Sequence, residues 1–238
     1  MRVELQPAYV LHTRSYRDTS LLVELLTRDH GRVSVVAKGA KPSARKKRVI
    51  NLQVFSPILV SWMGRSNLKT LTQREMTAAT PTLIGERLYS GLYVNELLVR
   101  VLQHEDPHPR LFDLYHQVLL TLASQQPVDI TLRHFELSLL EELGYGINCA
   151  TEAEQGNPVC EEQNYYYLNE VGLVSSATRE YKHLPIYRGK DLKRIAEGNY
   201  TKEVRACAKL LMRQALAPLI GDKPLNSRLL FARQKRLS

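Results

Sequence analysis

The apolar pattern of this 238-residue chain changes period once, near Pro81, and that change limits the folds open to it. Before it, apolar residues come in short alternating or continuous runs, as strands require. Ala8–His12, Ser20–Thr27, Arg32–Ala37, Leu52–Trp62 and Asn67–Met76 are such runs. Asp29-His30-Gly31 and Met63-Gly64-Arg65-Ser66 supply glycine-containing turns between neighbours. Five short strands within about 80 residues, with no helix among them, predict a small closed barrel such as the OB-fold. On strand count alone an SH3-like barrel competes.

After Pro81 the apolar residues follow a helical period. Thr82–Gln103 is apolar on most sides, through Leu83, Ile84, Leu88, Leu92, Leu97 and Leu98 among others, which predicts a helix central to its domain. Pro109 suits the first turn of a helix reaching about Ala123. Asp129 is positioned to cap a third helix that ends at Leu143 before Gly144. Residues 147–162 are irregular. Tyr165–Leu168 and Gly172–Val174 then suggest a hairpin around Asn169-Glu170. Two more helices are predicted at Arg188–Glu197 and Thr201–Ala217, the second stopped by Pro218.

Charge is sorted along this frame. Residues 1–76 hold 14 Lys and Arg against 5 Asp and Glu; residues 77–170 hold 4 against 14; residues 171–238 hold 15 against 5. Two basic blocks flank an acidic one, beneath a modest net charge of +9. Basic blocks of this density attract polyanions, because each neutralised phosphate releases condensed counterions. The acidic block would be repelled by the same phosphates, and is read as facing elsewhere or meeting other protein.

The sharpest local signal is Lys38-Gly39-Ala40-Lys41-Pro42-Ser43-Ala44-Arg45-Lys46-Lys47-Arg48, in which six of 11 residues are basic and none is acidic. Gly39 and Pro42 argue for a loop between two barrel strands, near the face where OB-folds hold nucleic acid. Six phosphate contacts to a single strand would give a log–log salt slope on the order of −4, at about −0.7 per contact. An ordinary solvated loop is the competing explanation. A second signal lies in the last predicted helix, where Lys202, Arg205, Lys209 and Arg213 recur at spacings of 3, 4 and 4 on one face. Val204, Cys207, Ala208 and Leu211 form its apolar face. Lys190, Lys193 and Arg194 upstream and Arg228, Arg233, Lys235 and Arg236 downstream extend the basic character. Of the barrel aromatics, Phe55 and Trp62 are assigned to the core, and Tyr16, between Arg14 and Arg17, is the candidate for stacking on a base.

Enzymatic chemistry finds no support. P-loop, GxGxxG, HExxH and GxSxG motifs are all absent, and the seven histidines lack metal-like or triad-like spacing. Cys149 and Cys160, with 10 residues between them and no CxxC, fall short of the four ligands of structural zinc, and Cys207 is assigned to the core. No catalytic residue, metal or cofactor is expected. The N-terminus shows no apolar run of signal-peptide length, and three widely spaced cysteines suit a reducing compartment, so a soluble, cytoplasmic protein is expected. Arg133 and Leu137, one turn apart, place a cation beside an apolar side chain, which suits an acidic peptide with a hydrophobic end; pairing of Arg133 with a local carboxylate is the commoner arrangement.

Several segments together resemble the RecO family of recombination mediator proteins. They are Asp18-Thr19-Ser20-Leu21-Leu22, Gly31-Arg32-Val33, Val36-Ala37-Lys38-Gly39-Ala40, Leu88-Tyr89-Ser90-Gly91-Leu92-Tyr93-Val94-Asn95-Glu96-Leu97-Leu98, Phe135-Glu136-Leu137, Leu143-Gly144-Tyr145-Gly146 and Lys223-Pro224-Leu225-Asn226-Ser227-Arg228, in family order. The resemblance implies an α+β chain: a five-stranded OB-fold barrel at 1–79, a helical domain at 80–146 and 178–238, and a small inserted hairpin module at 147–177. It also implies binding of single- and double-stranded DNA, annealing of complementary strands, and partnership with RecR and with the acidic C-terminal tail of single-stranded-DNA-binding protein, toward the loading of RecA. In enterobacterial-type members the tail site lies on the helix matching Asp129–Leu143, where Arg133 and Leu137 align with the functional Arg and Leu. His134 stands where a second Arg can occur. Many members carry two CxxC pairs in the inserted module; this chain keeps only Cys149 and Cys160 there, so the zinc site is not carried over and the hairpin and apolar packing must hold the module. An RNA-binding OB protein and an enzyme with a dispersed site are the alternatives from other classes.

Overall fold

The computed structural model describes residues 1–41, 52–176 and 181–234. Five strands, β1 (Arg2–Tyr16), β2 (Ser20–Thr27), β3 (Gly31–Ala37), β4 (Pro57–Met63) and β5 (Leu68–Met76), close into a barrel in the order β1-β2-β3-β5-β4. The β3–β5 pairing is parallel and all others are antiparallel. A simple meander would pair β3 with β4 instead, so the ambiguity of strand count resolves to the OB arrangement. Val10, Val23, Leu25, Val33, Val35, Val60 and Trp62 fill the interior from every strand but β5, whose Leu71 packs against them.

Two expectations for the barrel need correction. The first strand extends well beyond Ala8–His12, because its first half pairs with β4 and its second half with β2. Bulges between Val3 and Gln6 and between Val10 and His12 interrupt its alternation, so only a fragment reads as strand in the sequence. The fourth strand starts at Pro57, not at Leu52. Leu52 and Phe55 are core residues in a turn, with Phe55 at φ 70° and its N–H donated to the Val10 carbonyl.

The chain forms two compact units, Met1–Gln126 with Lys223–Ser238, and Pro127–Asp222. The first contains the barrel, α1 (Glu86–Val101), α2 (Pro109–Ala123) and α6 (Asn226–Gln234). The change of period near Pro81 therefore falls inside one unit. Gly91 lets α1 lie on the barrel, since a Cβ there would meet Phe55 at 2.9 Å and Leu83 at 2.8 Å. At Gly31 the backbone takes φ 62°, and a Cβ would overlap the Asp106 carbonyl. A polar stitch joins the layers: buried Asn95 donates to the Leu11 carbonyl at 2.7 Å and accepts the Tyr115 hydroxyl at 2.6 Å. Burial pushes the Tyr115 phenol well up, so it remains a donor.

Helix α6 has no counterpart among the elements expected from the sequence. Its first residues are tied to α1 by Glu96, whose carboxylate accepts the Asn226 and Ser227 amides, both at 2.8 Å, and the Ser227 hydroxyl at 2.7 Å. A carboxylate at a helix N-terminus meets orphan N–H groups and the positive end of the helix dipole. Arg100 donates to the Lys223 and Pro224 carbonyls next to this cap.

The second unit holds α3 (Val128–Glu142), β6 (Asn164–Leu168), β7 (Gly172–Ser175), β8 (Tyr187–Arg188), α4 (Gly189–Ala196) and α5 (Lys202–Ile220). The hairpin β6–β7 forms around Asn169-Glu170 as expected, with Leu168 opposite Gly172, and β8 adds an unforeseen third strand to its other edge. Two residues are too few to show alternation. Asp129 is not the cap of α3; Pro127 takes that position, and Asp129 lies within the first turn. Nor does Pro218 end α5, which runs to Ile220 before Gly221. A proline in the final turn removes a single i→i−4 bond, a loss the helix end tolerates.

Asn95→Leu is expected to orphan the Leu11 carbonyl and the Tyr115 hydroxyl, lowering stability by about 1–3 kcal/mol per group in urea titration. Glu96 supplies a pH-dependent element. Burial opposes its ionisation, but the bonds from Ser227 and Asn226 and the charge of Arg100 outweigh that and hold its carboxyl below the usual 4.5. Its contribution is therefore complete above pH 4.5 and is lost as pH falls through the depressed value. Relative to the intrinsic rate at each pH, protection of the Asn226 and Ser227 amides from hydrogen exchange is expected to fall on acidification, and Glu96→Gln to remove that loss of protection.

Candidate nucleic-acid interface

Many cations of the first basic block are engaged internally. Arg28 makes a two-pronged bond with Asp113, at 2.7 and 3.0 Å; Arg32 pairs with Glu24 at 3.0 Å; buried Lys69 pairs with Glu105. What remains exposed near the end of β3 is Lys38, with Arg14 and Arg17 at the β1–β2 turn. None of these three has a carboxylate partner among the described residues. Lys41 is placed differently from the sequence expectation: its amide donates to the Thr19 carbonyl at 3.1 Å and its ammonium to the Arg17 carbonyl. Arg45, Lys46, Lys47 and Arg48 lie outside the described residues. Phe55 and Trp62 are core, as assigned, while Tyr16 is half-buried with the Arg17 guanidinium 5.3 Å from its ring centre.

The basic stripe of α5 forms as the spacing requires. At about 100° per residue, Lys202, Arg205, Lys209 and Arg213 fall within an arc of about 80°. Val204, Ala208, Leu211 and Ala215 are buried on the neighbouring face, buried Met212 falls where that face meets the stripe, and buried Leu216 projects within the arc, between Arg205 and Lys209. Lys202, Lys209 and Arg213 are exposed. Arg205 is pinned, donating to Asp129 at 3.2 Å and to the Tyr200 carbonyl at 3.0 Å. The helix carries one acid, Glu203, which lies off the arc. In the same unit Lys190 and Arg194 are exposed, while Lys193 is tied to Glu161 at 2.9 Å. Lys235 and Arg236 lie outside the described residues.

Arg133 does not stand at a rim. Its side chain is 8% exposed and pairs at 2.6 Å with Glu136, itself 1% exposed. The i,i+3 spacing of these two on α3 is the signal in the sequence that points to the pair. Leu137 is half-buried, and exposed His134 meets the Tyr200 ring edge-on at 5.2 Å.

The inserted module is held by polar contacts and packed tyrosines. Tyr165, Tyr166 and Tyr167 are buried; the Tyr165 hydroxyl accepts the Cys160 amide at 2.8 Å; Gln214 links the Tyr187 hydroxyl to the Tyr167 carbonyl. Burial pushes the thiols of Cys149 and Cys207 up to about 12, so neither offers a thiolate at neutral pH. Among the described residues no group of three His, Cys, Asp or Glu could hold a metal ion. A cavity of about 650 Å3 beside the module is lined by Glu152 and Glu170 with no Lys or Arg, which suits no phosphate. No described helix is long and apolar enough to cross a membrane.

Residues 1–80 match the family model for the recombination protein O N-terminal region, and residues 85–229 match that for its C-terminal region. DNA repair protein RecO of Haemophilus influenzae strain 86-028NP is 45% identical over 232 residues, covering 97% of both chains. Those of Pseudoalteromonas atlantica and Coxiella burnetii are each 42% identical, covering 97% of this chain and 95% and 99% of their own. The chain belongs to the RecO family. Membership carries a role in DNA repair and recombination. The two matched regions meet near the change of period at Pro81, so the RecO family is divided along the chain where barrel gives way to helices.

The buried Arg133–Glu136 pair gives a test of its own. Removing one partner leaves an uncompensated buried charge, so Glu136→Ala is expected to cost about 3–5 kcal/mol, whereas the apolar pair Arg133→Met with Glu136→Leu should restore most of it. Denaturant midpoints of the three proteins check this.

Proposed function

We propose that this RecO-family chain is a non-enzymatic mediator that binds single- and double-stranded DNA by its backbone, anneals complementary strands, and helps load RecA onto strands coated with single-stranded-DNA-binding protein. The observation that carries the reading is the cationic arc of α5, in which Lys202, Lys209 and Arg213 are exposed while Arg205 pairs with Asp129. Fixed cations on a rigid helix neutralise phosphates without reading bases, so sequence specificity would come from pairing between the strands themselves. The loop at 38–48 is the second cationic segment in this reading, with Lys38 and Arg45–Arg48 as its phosphate contacts and the barrel at 1–79 as its support. Lowering repulsion between two complements and raising their local concentration accounts for annealing without any covalent step.

The acidic middle of the chain is assigned to protein contact, with RecR as the expected partner. The tail of single-stranded-DNA-binding protein is assigned to the α3 region at Arg133 and Leu137. Since Arg133 is already paired with Glu136, an acidic tail there must exchange for or add to an existing ion pair, and exposed His134 is the alternative partner for its carboxylates.

The experiment is annealing of complementary oligonucleotides followed against salt. Charge reversal at Lys202, Lys209 and Arg213 together is expected to reduce both the annealing rate and the steepness of the log–log salt dependence, by about 0.7 for each single-strand phosphate no longer neutralised. Reversal at Lys46, Lys47 and Arg48 should do the same. Unchanged slopes in both sets would remove the reading. Faster annealing of RNA than of DNA would favour an RNA-binding role instead.

A further inference from the structure

We propose that the β1–β2 turn is a stacking platform for one unpaired nucleobase, with Tyr16 as the ring, Arg14, Arg17 and Lys38 as flanking phosphate contacts, and Lys41 as the residue that holds the turn in place. The proposal rests on the DNA-binding reading above and adds to it a preference for single strands.

The placement follows from strand register. Tyr16 is the last residue of β1 and pairs with Ser20; Arg14, two residues earlier on the same face, pairs with Leu22. Side chains at i and i+2 of a strand project to the same side. The opposite side carries Val10, Val23, Val35 and Ala37 of the core, so Arg14 and Tyr16 belong to the outer face. In the neighbouring pair Leu21 meets Ala37, which puts Lys38 beside Ser20, one strand further from Tyr16. Ser20 is small and does not screen the ring from the lysine. At about 4.8 Å between strands, the Tyr16 and Lys38 backbones lie roughly 10 Å apart, a distance their side chains can share across one nucleotide.

Three features mark the turn as built rather than merely basic. The Arg17 guanidinium lies over one face of the Tyr16 ring, 5.3 Å from its centre, so a base would stack on the guanidinium plane or on the other ring face, and Tyr16 as a whole is half-buried. Arg17 holds φ 49°, a backbone conformation uncommon for a residue with a side chain. That conformation is over-determined by Lys41, whose ammonium and amide bind the Arg17 and Thr19 carbonyls. The Arg17 carbonyl takes one of the three N–H donors of the Lys41 ammonium and fixes its position, so the contribution of Lys41 to binding passes first through the turn. Asp18 at the tip disfavours a phosphate there, which leaves the backbone of the strand to Arg14 and Lys38 and turns the base toward the ring. Duplex bases, already stacked on their neighbours, have no face to offer such a ring.

Fluorescence anisotropy with a single-stranded oligonucleotide, the same strand carrying abasic sites, and the matching duplex tests this on the full chain. Tyr16→Ala is expected to weaken single-strand binding by about five- to hundredfold, the equivalent of roughly 1–3 kcal/mol per stacked base, and to leave the duplex unchanged. Tyr16→Phe should retain binding, and the parent should lose a similar factor on the abasic strand. Lys41→Ala should weaken single-strand binding without lowering the salt slope, whereas a lysine on phosphate would lower it by about 0.7. Equal losses on both substrates for Tyr16→Ala, or a parent indifferent to abasic sites, would overturn the platform while the DNA-binding reading stands. A parent that binds neither substrate would overturn that reading, and the platform with it.

Discussion

The stitch of Asn95 between the Leu11 carbonyl and the Tyr115 hydroxyl is the contact on which the first unit depends. A barrel this small has only one interior, filled by Val10, Val23, Leu25, Val33, Val35 and Trp62, and its outer face must be covered where it is apolar. Tyr9 and Leu26, paired across β1 and β2, lie on that outer face and are nevertheless buried. The Tyr9 ring packs against Phe112 and Tyr115 of α2, and α1 lies close to the barrel where Gly91 meets Phe55. A buried amide satisfied at both ends specifies one way of docking, because any shift along the helix would strand two polar groups without partners. The same helix then carries Glu96, which receives the start of α6, so the order of the C-terminal segment follows from the order of the barrel.

Charge is divided between two tasks that composition alone does not separate. Arg28, Arg32, Lys69, Arg133 and Arg205 pair with carboxylates within their own units, and Lys41 binds backbone carbonyl groups of its own turn. Exposed cations such as Arg14, Arg17, Lys38, Lys202 and Arg213 are what a polyanion would meet. The distinction matters for energetics, since an exposed cation gains from each phosphate through counterion release whereas a buried pair mainly offsets its own desolvation. Arg133 shows the contrast best: its spacing from Leu137 suits a surface groove, and its partner Glu136 holds it inside.

Legibility varied with how locally each element is determined. Strand β2 read correctly to the residue and helix α2 closely, because periodicity and a first-turn proline lie within them. The basic face of α5 was equally readable, since helical spacing alone places Lys202, Arg205, Lys209 and Arg213 together. Strand β1 was underread because two bulges break its alternation, and β8 because two residues carry no period. Asp129 looked like a cap and is instead a partner for Arg205, 76 residues away, a relation that no window on the sequence contains.

From its residues alone this chain was set to form a barrel followed by helices, to sort its charge into blocks, and to carry no familiar catalytic motif, because each of these is a property of short segments or of sums over them. Tertiary structure decided which cations remain exposed, which of two residues caps or pairs, and that Lys41 binds the carbonyls of a turn while Arg133 is buried. Those outcomes depend on groups far apart in sequence being brought within hydrogen-bonding distance, and only the packed chain sets that distance.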